Sequence, residues 1–267
     1  MLLYKRDKLV TLPRKKYKVH AIGHDIWNCY EASALLNSGC SFTGVFRLSF
    51  DASSQHIIES ESLSEYLHSF SMVQMGRDID EASLEFQNRV VEDLSQALKT
   101  PINGIFHTRK NVVAPPIFGE FNNYDMYQEM IGNCSEYVYN KNLLKKNELK
   151  HSMRSAIHTD LFQHGFEPSS GSVYLYYKSK FALTISEYIK YIISFRNDIL
   201  YSPSELCELI YSDIWDFLNP DELFVACLFI RNEGIDTNYV RANKEHLIYR
   251  YANNLITLSF LQEKGMR

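Results

Sequence analysis

Three short segments near the N-terminus combine acidic, amide, aromatic and basic side chains. They are His24-Asp25-Ile26-Trp27-Asn28, Gly44-Val45-Phe46-Arg47-Leu48 and Val73-Gln74-Met75-Gly76-Arg77. Carboxylate and guanidinium groups bind charged substrates through paired hydrogen bonds, and a carboxylate or a histidine can also accept a proton. A cation can in addition bind to the face of an aromatic ring such as that of Trp27. These segments therefore predict a polar site for a small charged substrate.

The second segment has the alternation of a β-strand. Phe46, Leu48 and Phe50 alternate with Val45, Arg47 and Ser49. Arg47 is therefore expected on the side of the sheet opposite Phe46, Leu48 and Phe50. A guanidinium held on a sheet is costly to desolvate unless a carboxylate or a ligand pairs with it. Asp25 and Asp78 are the candidate partners in this region.

Strand-like and helical patterns alternate up to about residue 180. Residues 30–36 are expected to pair with the strand of Arg47 through a turn at 37–39. Helical spacing follows at Leu63–Phe70 and at Leu84–Leu98, and again at Ala156–His164, which we expect to end at Gly165. Gly104–Phe106 and Ser172–Tyr177 are expected to be strands.

The remaining residues predict helices. Ser202-Pro203-Ser204-Glu205 provides an N-cap serine, a proline in the first turn and a glutamate that can complete a capping box. Asn219-Pro220-Asp221-Glu222 is a similar start signal, Thr184 is a third, and a last helix is expected at about 238–264. No internal repeat is evident.

Composition limits the possible functions. The chain has 267 residues, of which 45% are hydrophobic and 22% charged, and its net charge of -4 argues against general nucleic-acid binding. Five scattered cysteines without a C-x-x-C pair indicate reduced thiols in the cytoplasm and no zinc site. The spacing of His20 and His24 fits a metal pair only on a helix, whereas this stretch predicts strand and turn, so no metal is expected. No apolar run reaches the ~20 residues of a transmembrane helix.

In this order and spacing, the three segments resemble the acyl-homoserine-lactone synthases, of which the larger vibrio-type branch is the first to compare. The resemblance covers roughly residues 20–180. Asp25 corresponds to an aspartate of the family's acidic-aromatic motif, Arg47 to the arginine of its G-x-x-R-L strand, and Arg77 to the arginine of its V-E-x-x-R motif. Asn28 and Gln74 replace acidic residues of the family, which leaves the general base unassigned among Asp25, His24, Asp78 and Asp80.

The resemblance implies an α+β fold, an α/β/α sandwich with an acetyltransferase-like mixed sheet over residues 1–180, followed by a helical extension over 181–267. It implies an acyltransferase that makes an N-acyl-homoserine lactone quorum-sensing signal from S-adenosylmethionine, with acyl carrier protein or acyl-coenzyme A as donor and no cofactor. The expected catalytic residues are Asp25, Arg47 and Arg77. The expected substrate-binding residues are His24, Trp27, Asn28, Gln74, Phe46 and Phe106.

A basic N-terminal stretch is either only a solvated face or a docking surface for an anionic partner, such as an acidic protein, a phosphate-bearing cofactor or a membrane surface. In the acyltransferase interpretation, the partner would be the acidic acyl carrier protein. The stretch contains Lys5, Arg6, Lys8, Arg14, Lys15, Lys16 and Lys18. Two alternatives to the acyltransferase stay open. One is a non-catalytic interaction protein that docks through its helical C-terminal region. The other is a ribonuclease-type toxin that uses the R-x4-H spacing of Arg241 and His246.

Overall fold

A computed structural model describes residues 4–15, 21–108, 120–123, 134–164, 167–197, 201–230 and 234–256. The strands are β1 (Thr11–Pro13), β2 (Ile22–Leu35), β3 (Ser41–Asp51), β4 (His56–Ile58), β5 (Asn103–Thr108), β6 (Asn122–Asn123), β7 (Lys146–His164), β8 (Glu167–Leu183), β9 (Glu222–Ile230) and β10 (Ile235–Ala242). The α-helices are α1 (Ser60–His68), α2 (Ile79–Leu98), α3 (Ile185–Ser194), α4 (Pro203–Leu218) and α5 (Glu245–Ile256).

Eight of these strands form one sheet in the order β5-β3-β2-β10-β9-β8-β7-β6, and β1 pairs separately with β4. Neighbouring strands are antiparallel except β6 and β7, which are parallel. The α+β class expected from the sequence is therefore confirmed. The acetyltransferase-like arrangement is not confirmed.

Helices cover both faces of the sheet. On one face, α1 and α2 pack against residues such as Trp27 and Phe46, and α3 and α4 pack against residues such as Val225 and Tyr239. We call this the four-helix face. On the opposite face, α5 packs against Ile26 and its neighbours, and we call this the α5 face. Because side chains alternate along a strand, each strand residue is assigned to one face.

The hairpin expected around Arg47 is confirmed. β2 and β3 pair antiparallel around the turn at 36–40, and Asn28 lies directly opposite Arg47. Phe46, Leu48 and Phe50 belong to the core under α1 and α2, whereas Arg47 points to the α5 face. The alternation of apolar and polar residues was sufficient to orient this strand.

Three helix predictions are wrong. Ala156–His164 lies in β7, because pairing with β8 along a long hairpin outweighs its local helical spacing. Asn219 ends α4 in a left-handed conformation (φ 44°) and Glu222 begins β9. Residues from Asn238 onward continue β10, and α5 starts only at Glu245. The helical character expected after residue 180 is not confirmed, since β9 and β10 lie in the middle of the sheet.

The structure contains an internal repeat that the sequence did not reveal. Apart from the short strand β4, which pairs with β1 outside the main sheet, β2-β3-α1-α2-β5 and β7-β8-α3-α4-β9 follow the same order of strand, strand, helix, helix, strand. In the first unit the Asp93 carboxylate on α2 accepts hydrogen bonds from the hydroxyls of Tyr4 and Tyr66, the latter at 2.6 Å. Arg6 Nε lies 3.5 Å from the same carboxylate.

The second unit repeats this cluster. The Asp213 carboxylate on α4 accepts hydrogen bonds of 2.8 Å from the hydroxyls of Tyr139 and Tyr191, and Lys141 Nζ lies 3.0 Å away. The tyrosine and the aspartate are 27 residues apart in the first unit and 22 in the second. This difference in spacing hides the repeat from inspection of the sequence.

The capping box predicted at Ser202 is confirmed. Glu205 N donates to Ser202 Oγ at 3.4 Å, and Ser202 N donates to the Glu205 carboxylate at 2.7 Å. Thr184 is the N-cap of α3, but its side chain makes no capping hydrogen bond. These two residues therefore offer a matched comparison.

We expect Ser202→Ala to lower the free energy of unfolding by about 1 kcal/mol, because a backbone N–H of α4 loses its acceptor. Thr184→Ala should change it by a smaller amount. Urea unfolding followed by circular dichroism measures both variants. Equal losses for the two would show that the capping bond of Ser202 adds nothing to stability.

The described part of the chain has no helix long and apolar enough to cross a membrane. All five cysteines are free thiols, as the sequence predicted, and Cys29, Cys207 and Cys227 are buried. Burial raises the pKa of Cys29, and the negative charge of Asp236 adds to the effect. This thiol is therefore neutral at physiological pH.

Candidate polar site on the α5 face

The residues expected to form one site lie on opposite faces of the sheet. Asp25 is on the four-helix face, where its carboxylate binds two arginines. Arg47 is on the α5 face and donates to the backbone carbonyl of Leu255 in α5. Asp78, the other partner considered for Arg47, instead accepts a hydrogen bond from Glu81 N and caps α2. The sheet thus separates two polar groups, which we describe in turn.

Asp25 is the centre of a buried ionic network on the four-helix face. Its Oδ2 lies 2.6 Å from Arg14 Nη2 and its Oδ1 lies 2.8 Å from Arg241 Nη2. Arg241 Nε also lies 2.6 Å from Glu208 Oε1 on α4. Burial alone would lower the pKa of Arg241, but the carboxylates of Asp25 and Glu208 more than offset it and the pKa is raised.

This network connects the N-terminal segment, β2, β10 and α4. Arg241 is fully buried and also donates to the backbone carbonyl of Val240 at 2.9 Å. It lies on β10 and not on a helix, while His246 is exposed on α5. The ribonuclease hypothesis, which required the two side chains on one helix face, is therefore wrong.

The α5 face carries a row of three polar residues on adjacent strands. Arg47 on β3 is directly opposite Asn28 on β2, and Asn28 is directly opposite Asp236 on β10. We call Arg47, Asn28 and Asp236 the polar row. It places a guanidinium, an amide and a carboxylate next to one another across the sheet.

The members of the polar row differ in burial. Arg47 and Asn28 are buried, whereas Asp236 and its neighbour Tyr30 are half-buried. Burial lowers the pKa of Arg47 to about 10, with a smaller opposing contribution from Tyr30, so Arg47 stays charged at neutral pH. Tyr30 donates its hydroxyl to Asp236 Oδ2 at 2.8 Å. Asn28 Oδ1 is buried without a hydrogen-bond partner among the residues that the structure describes.

The other predicted site residues have separate environments. The rings of Trp27, Phe46 and Phe106 are buried in the core under α1 and α2. Gln74 is exposed, and its backbone forms an isolated β-bridge with Leu35. Arg77 is exposed and pairs with Glu81 at 2.9 Å. Of the predicted polar residues, Arg47 and Asn28 are cross-strand neighbours on the α5 face. Of the predicted aromatic residues, Phe46 lies directly opposite Phe106 in the core on the other face.

His24 is half-buried on β2, next to the ionic network. Burial lowers the pKa of His24, with smaller opposing contributions from Asp51 and Asp25. Within the described ranges, no group of three or more histidine, cysteine or acidic side chains could hold a metal ion. His20, considered with His24 as a metal pair, lies outside the described residues.

Sequence reasoning missed Asp236 and the role of Tyr30. These residues are 206 positions apart in the chain, so only the pairing of β2 with β10 brings them together. Asp236 lies between the buried residues Ile235 and Thr237 at the start of β10, whose later residues were expected to be helical. Recognising β10 as a strand was therefore the missing step.

Comparisons with known proteins identify the family. A model of the nitrile reductase family, described as the N-terminal part of 7-cyano-7-deazaguanine reductase, matches residues 3–105. A protein from Rickettsia akari named NADPH-dependent 7-cyano-7-deazaguanine reductase is 31% identical over 233 residues, which cover 80% of this chain and 76% of the relative. The chain belongs to the 7-cyano-7-deazaguanine reductase family.

Further members of this reductase family match over most of their length. A protein of the same name from Buchnera aphidicola is 27% identical over 239 residues, covering 86% of this chain and 88% of the relative. Another from Rickettsia felis is 29% identical over 252 residues, covering 88% and 80%. The similarity therefore extends well beyond the N-terminal part.

Because the chain belongs to the reductase family, the interpretation as an acyl-homoserine-lactone synthase is wrong. The predictions of an acyltransferase, of quorum sensing, and of S-adenosylmethionine with an acyl carrier protein or acyl-coenzyme A are wrong, since the relatives are named as NADPH-dependent reductases. The prediction that no cofactor is used is wrong for the same reason. The interaction-protein alternative finds no support either. Three short segments carried too few residues to distinguish one enzyme family from another.

The basic N-terminal stretch has internal partners in place of a carrier protein. Lys8 pairs with Glu65 at 2.6 Å, Arg14 with Asp25 at 2.6 Å and Lys15 with Glu205 at 2.8 Å. Lys16 and Lys18 lie outside the described residues. The charges of Lys8, Arg14 and Lys15 thus attach the N-terminal segment to this chain's own helices and strands.

Proposed function

We propose that this chain is an NADPH-dependent reductase that acts on the nitrile of a 7-cyano-7-deazaguanine ring. The observation that carries the proposal is the 31% identity over four fifths of the chain with a relative of that name. The polar row supports it, because a guanine-type ring needs donors and acceptors in a defined order and the row offers both. A cytoplasmic location belongs to the same proposal, in keeping with five free thiols.

The α5 face also offers cations that fit the phosphates of NADPH. Lys244, just before α5, and Arg250, in the middle of α5, are partly exposed. Their partners in the chain are Glu222 at 3.8 Å and Glu120 at 3.1 Å. Exposed ion pairs of this kind contribute only about 0–1 kcal/mol, so a phosphate can compete for these side chains. Lys244 and Arg250 would hold the phosphates in this proposal.

The reaction constrains what the site must do. When bound, NADPH supplies hydride, and reduction of a nitrile to an amine consumes two hydrides and two protons and yields two NADP+. The protein has to orient the ring so that the nitrile carbon meets the hydride donor, and it has to exclude water. Arg47 and Asn28, both buried on rigid strands, are suited to fix the ring.

The test combines turnover and binding. With purified full chain, NADPH and 7-cyano-7-deazaguanine, we expect loss of NADPH absorbance at two NADPH per amine formed, with the product confirmed by mass spectrometry. Arg250→Ala should raise the KM for NADPH several-fold at low ionic strength and leave kcat nearly unchanged. Binding of the ring without any NADPH oxidation would overturn the proposed reductase activity.

A further inference from the structure

We draw no further inference here: the strongest candidate, the small cavity between α1 and the start of β10 that is lined by Cys29, Ser64 and the hydrogen-bonded pair of Glu31 and His68, has room for about one water molecule, and nothing in the described part of the chain shows that it holds a ligand.

Discussion

Replacing Arg241 with methionine is expected to lower the free energy of unfolding by about 3–5 kcal/mol, the effect of removing one partner from a buried ion pair. The guanidinium is fully buried between Asp25 and Glu208, at 2.8 and 2.6 Å. Its loss leaves the Glu208 carboxylate without this partner and leaves Asp25 with Arg14 alone. Chemical denaturation of the variant and the wild type measures the difference.

Lys244→Met is the matched control for this experiment. Lys244 follows β10 closely in the chain, is partly exposed, and lies 3.8 Å from Glu222. A pair of this kind is worth about 0–1 kcal/mol, so the control should unfold close to the wild type. If Arg241→Met lost no more stability than Lys244→Met, the buried network would not contribute to folding. In that case β2 and β10 would be held by their ladder and core packing alone.

Asp213→Ala is the second change with a large expected effect, a loss of about 3 kcal/mol of unfolding free energy. The carboxylate accepts hydrogen bonds from Tyr139 and Tyr191, and the Tyr191 hydroxyl lies in the core between α3 and α4. Without Asp213, two tyrosine hydroxyls lose their acceptor and the ammonium of Lys141 loses its nearer carboxylate, at 3.0 Å. Thermal and urea unfolding measure the change.

Asp216→Ala provides the comparison on the same helix. Asp216 is exposed and lies 3.3 Å from the same Lys141 ammonium, so it isolates the contribution of the tyrosines from that of the lysine. We expect it to change stability by less than about 0.5 kcal/mol. A small effect of Asp213→Ala, matching that of Asp216→Ala, would mean that the repeated tyrosine–aspartate cluster is not needed for stability.

The polar groups on the two faces of the sheet differ in their hydrogen-bond partners. On the four-helix face, the Asp25 carboxylate pairs with both Arg14 and Arg241, and Arg14 Nη1 is buried without a hydrogen-bond partner among the described residues. On the α5 face, the central acceptor of the polar row, Asn28 Oδ1, has no partner among the described residues.

The sequence alone determined the features that depend on local physical chemistry. Alternation placed Arg47 opposite Phe46 and Phe50, because side chains of a strand point to opposite faces. The serine, proline and glutamate at the start of α4 identified its first residue, because they satisfy backbone groups within one turn. The amphipathic helices α1 and α2, the strand β5 and the reduced cysteines followed from equally local patterns.

Only the tertiary structure decided the features that depend on distant partners. The segment Ala156–His164 is a strand because it pairs with β8, and residues near Asn238 are a strand because β2 and β9 flank them. Helices cover both faces of β9 and β10, so their apolar residues do not alternate and the strand period is lost. Asp25 and Arg47, close in sequence, are separated by the sheet itself. Asp236 and Asn28, far apart in sequence, meet because backbone hydrogen bonding fixes the register of β2 and β10.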